Sequence, residues 1–403
     1  MPSTLATIGQ QLERALTGWL PENVRHNLRI ETVASIAYGI FYAIAISFLP
    51  VVLRRCRRRN PPSRKRYVVV FWPRRRIIRG EKNERIMVNY RRLGRTDLKV
   101  SALALGTVEL GLDYGIAVPG EFGRPTEAEA IRLVHSALDG GISLIDTARA
   151  YGESEAVLGR ALRGRRGAVV LATKVRTQCD DGTTPTGDQL RQHMLESLET
   201  SLRLLQTEYV DIWQVHNVDA ALLAQRDLLA EIFTAARRSG KARAIGGSTY
   251  GVEMPTAAIE SNLFDMLQVT YSALDQRLGD QVLPTAAERD IGIVVRSILL
   301  KGALTARGDY LPDHLAELRE RTRQFRGVVA DSGLGASPAQ VAVAFGLANP
   351  QIHSVLVGVR SEQELREALG AAVIQLPAGL LARLAALRLD NANLLNPSTW
   401  GIP

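Results

Sequence analysis

After residue 87, short apolar segments alternate with longer segments in which apolar side chains recur about every 3.6 residues. The short segments are rich in valine, isoleucine and leucine, which is typical of strands buried on both faces. The predicted strands are residues 102–105, 144–146, 169–174, 211–216, 242–247, 266–270, 292–296 and 354–357. Helical periodicity follows several of these strands, at residues 126–139, 154–162, 188–205, 222–239 and 338–348.

Eight β-then-α units within about 315 residues predict an α/β fold of the (β/α)8 TIM-barrel class, which we expect to occupy residues 87–403. A doubly wound sheet is the alternative for alternating strands and helices. Such sheets usually open with a G-x-G-x-x-G turn after the first strand, and no such turn follows residue 105. Residues 91–100 precede the first strand, and we expect them to form a hairpin that closes the barrel floor.

Residues 32–53 contain no charged side chain, and these 22 residues are enough to cross a bilayer core of about 30 Å as a helix. Five arginines lie between residues 54 and 59, whereas only three precede the stretch, a bias that places the following residues in the cytoplasm. We therefore predict a single transmembrane helix that tethers a cytoplasmic barrel to the inner face of the cell membrane. A cleaved signal peptide is disfavoured because no A-x-A site follows, and a buried helix is the other alternative.

Residues 54–79 carry 12 basic side chains and no acidic one, and we predict a disordered basic linker over 54–86 that can contact anionic lipid headgroups. The segment before it, residues 20–53, resembles the first helix of a multi-spanning transporter and ends where a second helix should begin. A gene fusion, or a misassigned start with Met87 as the ancestral initiator, is therefore an open hypothesis. The predicted domains are residues 1–53, 54–86 and 87–403.

The net charge of +9 resides in the N-terminal part of the chain. Residues 1–88 carry 17 basic against 5 acidic side chains, whereas residues 89–403 carry 33 against 36. A nearly neutral barrel argues against polyanion binding, so we expect no nucleic-acid partner. The two cysteines, Cys56 and Cys179, and the histidines have no metal-ligand spacing, and we predict no metal site.

Working residues of a (β/α)8 barrel lie at the carboxyl ends of its strands and in the loops that follow. Along the predicted strands, these positions hold Asp146, Tyr151 five residues later, Lys174 and His216. A lysine at the end of an apolar strand is costly to bury alone, and Asp146 is an available partner. Each of these residues taken singly is more often structural, but four of them on three successive strands predict a catalytic set.

These side chains suit hydride transfer to a carbonyl carbon, in which a cofactor brings the hydride and the protein protonates the developing alkoxide. Tyr151 would donate the proton, and a nearby Lys174 ammonium would lower the tyrosine's pKa from its ordinary value of about 10. Asp146 would hold the lysine in place. His216 would donate a hydrogen bond to the substrate oxygen.

The segment GISLIDTARAYGESEAVLGRAL, residues 141–162, resembles the signature of the aldo-keto reductases. The segments VVLATKV and LRLLQTEYVDIWQVHNVD resemble the family's next two landmarks, and the likeness runs from about residue 90 to residue 372. The resemblance implies catalytic roles for Asp146, Tyr151, Lys174 and His216. It also implies NADPH as the cofactor, with NADH as the open alternative.

Further positions are implied by the resemblance to hold the dinucleotide. They are Ser248, Thr249 and Gln268 at the nicotinamide carboxamide, Arg296 under the nicotinamide ring with Ser297 after it, and Gly358, Arg360, Ser361 and Glu364 around the adenosine and its phosphate. Three of them depart from the family pattern, because Thr249 replaces an asparagine, Arg296 an aromatic residue and Glu364 a glutamine or arginine. A carboxylate at Glu364 would repel a 2′-phosphate and favour NADH, whereas Arg360 would pair with that phosphate.

We therefore expect an NAD(P)H-dependent oxidoreductase that reduces an aldehyde or ketone to an alcohol, or catalyses the reverse reaction. The polar, glycine-rich loop at residues 108–123 is the expected mouth of the substrate pocket and suggests a sugar-like carbonyl compound. A nicotinamide-binding regulatory subunit is an alternative, since some members of the resembled family attach to membrane channels. A polyanion-binding protein that acts through residues 54–79 is the other alternative. Membrane contact is predicted only through residues 32–79.

Overall fold

The computed structural model describes residues 78–79, 85–86, 88–120, 122–179 and 183–402. Chain contacts divide the protein into two compact units, Met1–Phe71 and Trp72–Pro403, of which the first lies outside the described residues. The predicted membrane helix at 32–53 and most of the predicted linker at 54–86 also lie outside them and stay predictions. Near the end of that linker, Ile78–Arg79 pairs antiparallel with Arg85–Ile86. No helix among the described residues is long and apolar enough to span a membrane.

Eight parallel strands close into a barrel in the second unit. In chain order they are β1 Leu103–Gly106, β2 Leu144–Asp146, β3 Val170–Arg176, β4 Val210–His216, β5 Ala242–Ser248, β6 Met266–Thr270, β7 Gly292–Arg296 and β8 Ser354–Gly358. Consecutive strands pair with one another, and β8 pairs with β1 to close the barrel. The predicted (β/α)8 barrel is confirmed, and the strand bounds differ from the predicted ones by two residues at most.

The helices of the described residues surround this barrel. In chain order they are α1 Val108–Gly111, α2 Glu127–Asp139, α3 Ser154–Ala161, α4 Gly187–Leu205, α5 Ala220–Leu223, α6 Arg226–Arg238, α7 Glu253–Glu260, α8 Val282–Glu288, α9 Ala316–Ala330, α10 Pro338–Ala348, α11 Glu362–Ala371, α12 Ala378–Ala385 and α13 Ala392–Leu395. The helix predicted at 222–239 is in fact two helices, α5 and α6. Thr126 with Glu129 forms a capping box that begins α2, where the hydroxyl and carboxylate satisfy backbone N–H groups of the first turn.

The predicted floor hairpin is confirmed, because Tyr90–Arg92 pairs antiparallel with Lys99–Ser101. Leu93, Leu98 and Val100 pack in one apolar cluster with buried side chains of the barrel strands. Burial of such side chains contributes roughly 1.5–3 kcal/mol each. Since the hairpin covers the amino-terminal end of the barrel, the carboxyl-terminal end is the one left for a ligand.

The turn that carries Tyr151 packs directly on the short helix α1. A Cβ atom added at Gly111 would lie 1.9 Å from the Tyr151 carbonyl oxygen, so a larger residue at this position would push the two backbones apart. Gly152 follows with a φ angle of +52°, a left-handed conformation that glycine adopts at little steric cost. This packing therefore fixes the position of the Tyr151 main chain, from which the side chain extends.

Candidate active site

Four side chains converge at the carboxyl-terminal ends of β2, β3 and β4. Asp146 and His216 are the last residues of β2 and β4, and Lys174 lies two residues before the end of β3. Tyr151 lies in the turn after β2. Asp146 and Lys174 are buried, at 2% and 1% exposed, whereas Tyr151 and His216 line a cavity in front of them.

The Lys174 ammonium group joins three parts of this site. Its Nζ forms a short ion pair with Asp146 Oδ2 and donates to the Thr147 carbonyl oxygen at 3.0 Å. Nζ also lies 3.3 Å from the Tyr151 hydroxyl and 4.8 Å from the centroid of that ring. An ammonium group buried without partners would be very costly, and these three oxygen atoms match its three N–H donors.

The Asp146 carboxylate is held from both sides. While Oδ2 pairs with Lys174, Oδ1 accepts hydrogen bonds from Gln214 Nε2 at 2.9 Å and Gln268 Nε2 at 2.8 Å. Gln268 was expected at the nicotinamide carboxamide. Its side chain does line the cavity, but its amide nitrogen is directed at Asp146.

The expected fall in the pKa of Tyr151 below its ordinary value does not occur. Burial raises the pKa of Tyr151 far above its ordinary value, and the Asp146 carboxylate raises it further, while Arg296 opposes the shift. Lys174 lies beside the phenol, but its favourable effect on the phenolate is outweighed by burial and by the carboxylate of its partner Asp146. The hydroxyl therefore keeps its proton at neutral pH, as a proton donor requires.

The His216 imidazole stands edge-on to the Tyr151 ring, with the centroids 5.7 Å apart and the planes at 87°. Burial lowers the pKa of His216 well below its ordinary value, and the charges of Lys174, Arg296 and Arg176 lower it further. The ring is therefore neutral at pH 7 and has one N–H to donate. Its Nδ1 is buried and has no hydrogen-bond partner among the described residues.

The cavity has a volume of about 640 Å³, within the range of small-molecule and cofactor sites. It extends from Tyr151 and His216 to the first turn of α11. The predicted dinucleotide-binding residues that line it are Gln268, Arg296, Ser297, Gly358, Arg360 and Glu364. The cavity lining does not include Ser248, Thr249 or Ser361.

Two of those three side chains have partners within the protein. Ser248 Oγ accepts from the Asn217 backbone N–H at 3.1 Å, and Ser361 Oγ accepts from the Glu364 N–H at 3.2 Å and so caps α11. The third, Thr249 Oγ1, is buried without a partner among the described residues. The cofactor contacts expected of all three stay predictions.

The Arg296 guanidinium stacks on an aromatic ring of the protein itself. Its Cζ lies 3.9 Å from the centroid of the Tyr250 ring, and its Nη2 donates to the Thr249 carbonyl oxygen at 3.0 Å. Stacking and hydrogen bonding together fix the plane of the guanidinium. Arg296 and Tyr250 both line the cavity, so they present a stacked pair to a ligand there.

Glu364 does not present an unpaired negative charge to the cavity, contrary to the reasoning that it repels a 2′-phosphate. Its Oε1 accepts from Arg307 Nη2 at 2.9 Å, and its Oε2 accepts from the Arg360 backbone N–H at 2.7 Å. Burial nevertheless raises the pKa of Glu364, against the opposing effect of Arg307. The local charge at the α11 end of the cavity is therefore set by the ion pair of Glu364 with Arg307 and not by the Glu364 carboxylate alone.

A nicotinamide dinucleotide fits the chemistry of this lining. Four cationic side chains line the cavity, namely Arg296, Lys301, Arg307 and Arg360, and their positive charge suits a ligand that carries phosphate groups. The amino terminus of α11 adds the partial positive charge of a helix dipole. One buried polar atom of the lining beside Tyr151, His216 Nδ1, has no partner among the described residues, as expected where a polar ligand binds.

The sequence reasoning did not identify several cavity residues. They are Tyr250, Lys301 and Arg307, together with Glu109 and Tyr114, which lie in the segment 108–123 that was predicted only as the mouth of the substrate pocket. Lys301 Nζ donates to the Ile402 carbonyl oxygen at 2.6 Å and lies 5.0 Å from the centroid of the Tyr114 ring. These residues lie in the segments that connect β1, β5 and β7 to the elements after them, and this place on the carboxyl-terminal side of the strands was the signal that could have found them.

Glu109 is a carboxyl group whose Oε2 is buried without a hydrogen-bond partner among the described residues. A Cβ atom added at Gly358 would lie 2.1 Å from its Oε1, so the carboxyl fills the space that the glycine leaves free. Burial raises the pKa of Glu109 to about 7, with a further rise from Glu364 and an opposing effect of Arg307.

This shift makes stability depend on pH. Between pH 4.5 and about 7 the folded protein holds a proton on Glu109 that the unfolded chain has released. The free energy of unfolding therefore falls as pH rises through this window, by up to about 3 kcal/mol. Because glutamine does not ionise, we expect Glu109→Gln to be more stable than the parent by up to that amount at pH 8 and equal to it at pH 4.5. Urea denaturation at both pH values measures this difference, and equal unfolding free energies at pH 8 would contradict it.

Comparison with known proteins identifies the same family that the sequence motifs resemble, over the length of the barrel. The model of the aldo/keto reductase family matches residues 102–388. The oxidoreductase YrpG of Bacillus subtilis is 32% identical over 74% of this chain and 95% of its own length. L-galactose dehydrogenase of Arabidopsis thaliana is 30% identical over 70% of this chain and 88% of its own.

Among solved structures, the aldo-keto reductase AKR11C1 from Bacillus halodurans, in its holo form, matches with a TM-score of 0.63 and 25% identity. That match covers 76% of this chain and 99% of the other. The family match extends over far more than half of the chain and includes all four side chains that converge at the ends of β2, β3 and β4. The chain therefore belongs to the aldo/keto reductase family and is an NAD(P)-dependent oxidoreductase.

Proposed function

We propose that the protein reduces an aldehyde or ketone to an alcohol, or catalyses the reverse, with Tyr151 as the proton donor and NADPH as the hydride donor. The observation that carries this proposal is the position of the Tyr151 hydroxyl, which faces the cavity and lies 3.3 Å from the buried Lys174 ammonium. His216 lies beside it at the same end of the cavity.

The cofactor supplies the hydride, and the protein handles the proton. The neutral His216 ring donates a hydrogen bond to the substrate oxygen and orients the carbonyl. The Tyr151 hydroxyl then gives its proton to that oxygen as negative charge develops there. Lys174 stabilises the phenolate that remains, since a positive charge within about 4 Å favours the ionised form. Asp146 holds the ammonium toward the phenol through its ion pair with Lys174.

The experiment that tests this function is NADPH oxidation by the full-length chain, followed at 340 nm with a panel of aldehydes and ketones. Because L-galactose dehydrogenase is among the relatives, we propose sugar-like hydroxylated carbonyl compounds as the substrate class, and the panel should contain aldoses beside aromatic and aliphatic aldehydes. Carbonyl-dependent oxidation supports the proposal. Tight binding of the dinucleotide without turnover on any member would instead favour a regulatory subunit.

We further propose NADPH over NADH, on the basis of Arg360. This side chain lines the cavity at the α11 end, where Glu364 is neutralised by Arg307 and does not oppose a 2′-phosphate. A guanidinium–phosphate contact of this kind contributes about 1.5–3 kcal/mol, which corresponds to about 10- to 100-fold in Kd.

Replacement of Arg360 tests this preference. We expect Arg360→Met to raise the Kd for NADPH about 10- to 100-fold while changing that for NADH less than about threefold, because only NADPH carries the 2′-phosphate. Fluorescence titration with both dinucleotides measures the two constants. Arg366→Met is the matched control, since Arg366 is an exposed residue of α11, the helix that follows Arg360, and lies outside the cavity lining. Equal weakening of both dinucleotides by Arg360→Met would contradict the assignment.

A further inference from the structure

We propose that Glu109 takes up a proton when the dinucleotide binds and then donates a hydrogen bond to an oxygen of the dinucleotide's pyrophosphate. This inference rests on the proposed function, because it concerns a ligand of the same cavity. It assigns a role to a carboxyl group that the hydride-transfer chemistry does not use.

The first support is the position of Glu109 along the cavity. Tyr151 and His216 mark the end at which the nicotinamide ring must meet the substrate, and Arg360 marks the end proposed for the 2′-phosphate. Glu109 lies between these ends, at the point where its carboxyl touches the Gly358 backbone. The middle of an extended dinucleotide is its pyrophosphate, so the carboxyl is placed beside the two phosphates.

The second support is the state of the carboxyl group. Its Oε2 is buried and has no hydrogen-bond partner among the described residues, although the group borders a cavity that takes a polar ligand. A buried oxygen of this kind is costly unless a ligand satisfies it. A carboxylate anion cannot satisfy a phosphate oxygen, because both accept hydrogen bonds and carry negative charge. A protonated carboxyl can, since it donates one O–H.

The third support is the set of charged and titratable groups that face Glu109. They are Glu364 on α11, Arg307 in the loop after β7, Tyr114 in the loop after β1 and Tyr151 in the loop after β2. Glu364 favours the protonated form of Glu109, and Arg307 opposes it. The pKa of Glu109 is already raised to about 7 without a ligand, and two further phosphate charges would raise it again. Proton uptake from the solvent is therefore expected on binding at and above neutral pH.

The test is the pH dependence of dinucleotide affinity in the full-length protein, measured by fluorescence titration with NADH and with NADPH between pH 6 and pH 8.5. We expect the wild-type Kd to be nearly constant below pH 7 and to rise about tenfold per pH unit above it, as linkage to one proton requires. Glu109→Gln should show less than about a twofold change over the range and bind about 30-fold more tightly than wild type at pH 8.5. The 2′-phosphate of NADPH titrates near pH 6. Its ionisation should change the Kd of wild type and of Glu109→Gln by the same factor.

The matched control is Asp113→Asn, which removes a carboxylate from the same loop at an exposed position outside the cavity lining. It should keep the wild-type pH slope. Calorimetry of NADH binding at pH 8 in two buffers of different ionisation enthalpy counts the protons directly in the wild-type protein, and we expect about one proton taken up.

Two results would overturn the inference while leaving the reductase function intact. One is dinucleotide binding with no proton uptake by wild type at pH 8, and the other is a pH slope that persists unchanged in Glu109→Gln. Failure of every variant to bind either dinucleotide at any pH would instead overturn the proposed function, and this inference with it.

Discussion

Tyr151→Phe should lower kcat for carbonyl reduction by about 10²- to 10⁴-fold while leaving the Kd for NADPH within about twofold. The substitution removes only the hydroxyl that lies 3.3 Å from Lys174 Nζ and faces the cavity. The ring and its edge-on contact with His216 remain, so the shape of the site is preserved. Without the hydroxyl, the developing alkoxide has no protein proton donor at that position. Steady-state kinetics with an active aldehyde, together with a dinucleotide titration, separates the loss of chemistry from a loss of binding.

Tyr310→Phe is the control for this measurement, because Tyr310 is 54% exposed and lies outside the cavity lining. It should retain the parent kcat. If Tyr151→Phe also retained the parent kcat, the tyrosine would be excluded as proton donor. A large loss of NADPH affinity in Tyr151→Phe would assign the residue to cofactor binding instead.

Lys174→Met should lower the free energy of unfolding by about 3–5 kcal/mol at pH 7 and remove measurable turnover. Methionine replaces the aliphatic part of the lysine chain but leaves Asp146, which is 2% exposed, without its counter-ion. The two glutamine amides that remain at Asp146 Oδ1 carry no net charge to compensate the carboxylate. Turnover falls because the phenolate of Tyr151 loses the cation beside it. Urea denaturation at pH 7 measures the free energy of unfolding. If the m-value is unchanged, the shift in the midpoint gives the difference in that free energy between Lys174→Met and the parent.

Lys241→Met provides a matched lysine control, because Lys241 forms an ion pair with Glu199 at the surface, where its side chain is 37% exposed. Such exposed pairs contribute about 0–1 kcal/mol, so this variant should be nearly as stable as the parent. A cost for Lys174→Met as small as that of the control would show that Asp146 does not depend on the lysine.

Much of the fold follows from the sequence because strand and helix periods are local properties. The (β/α)8 barrel was predicted from the alternation and number of its units, and the floor hairpin from the place of residues 91–100 before the first strand. The pairing of Lys174 with Asp146 was also predictable, since an apolar strand that ends in a charge needs a partner from a neighbouring strand end. The helix predicted at 222–239 was not continuous, because apolar spacing does not register the break between α5 and α6.

The parts of the site that could not be predicted depend on contacts between distant loops. Glu109 meets Gly358 where β1 and β8 pair to close the barrel, and Arg307 meets Glu364 over 57 positions of sequence. The sequence separation of neither pair indicates that the two residues are in contact. The direction of the pKa shift of Tyr151 was also missed, because it depends on how deeply the phenol is buried and on the prior pairing of Lys174 with Asp146.

Isotope transfer is the sharpest test of direct hydride transfer from the nicotinamide to a carbonyl carbon. The full-length protein is supplied with an aldehyde that it turns over and with NADPH that carries deuterium at both C4 positions. The alcohol is then analysed by mass spectrometry. We expect one carbon-bound deuterium in each alcohol molecule, in a one-to-one ratio with the NADP⁺ formed. Alcohol without deuterium, or NADPH binding with no alcohol formed from any carbonyl compound tested, would contradict the account.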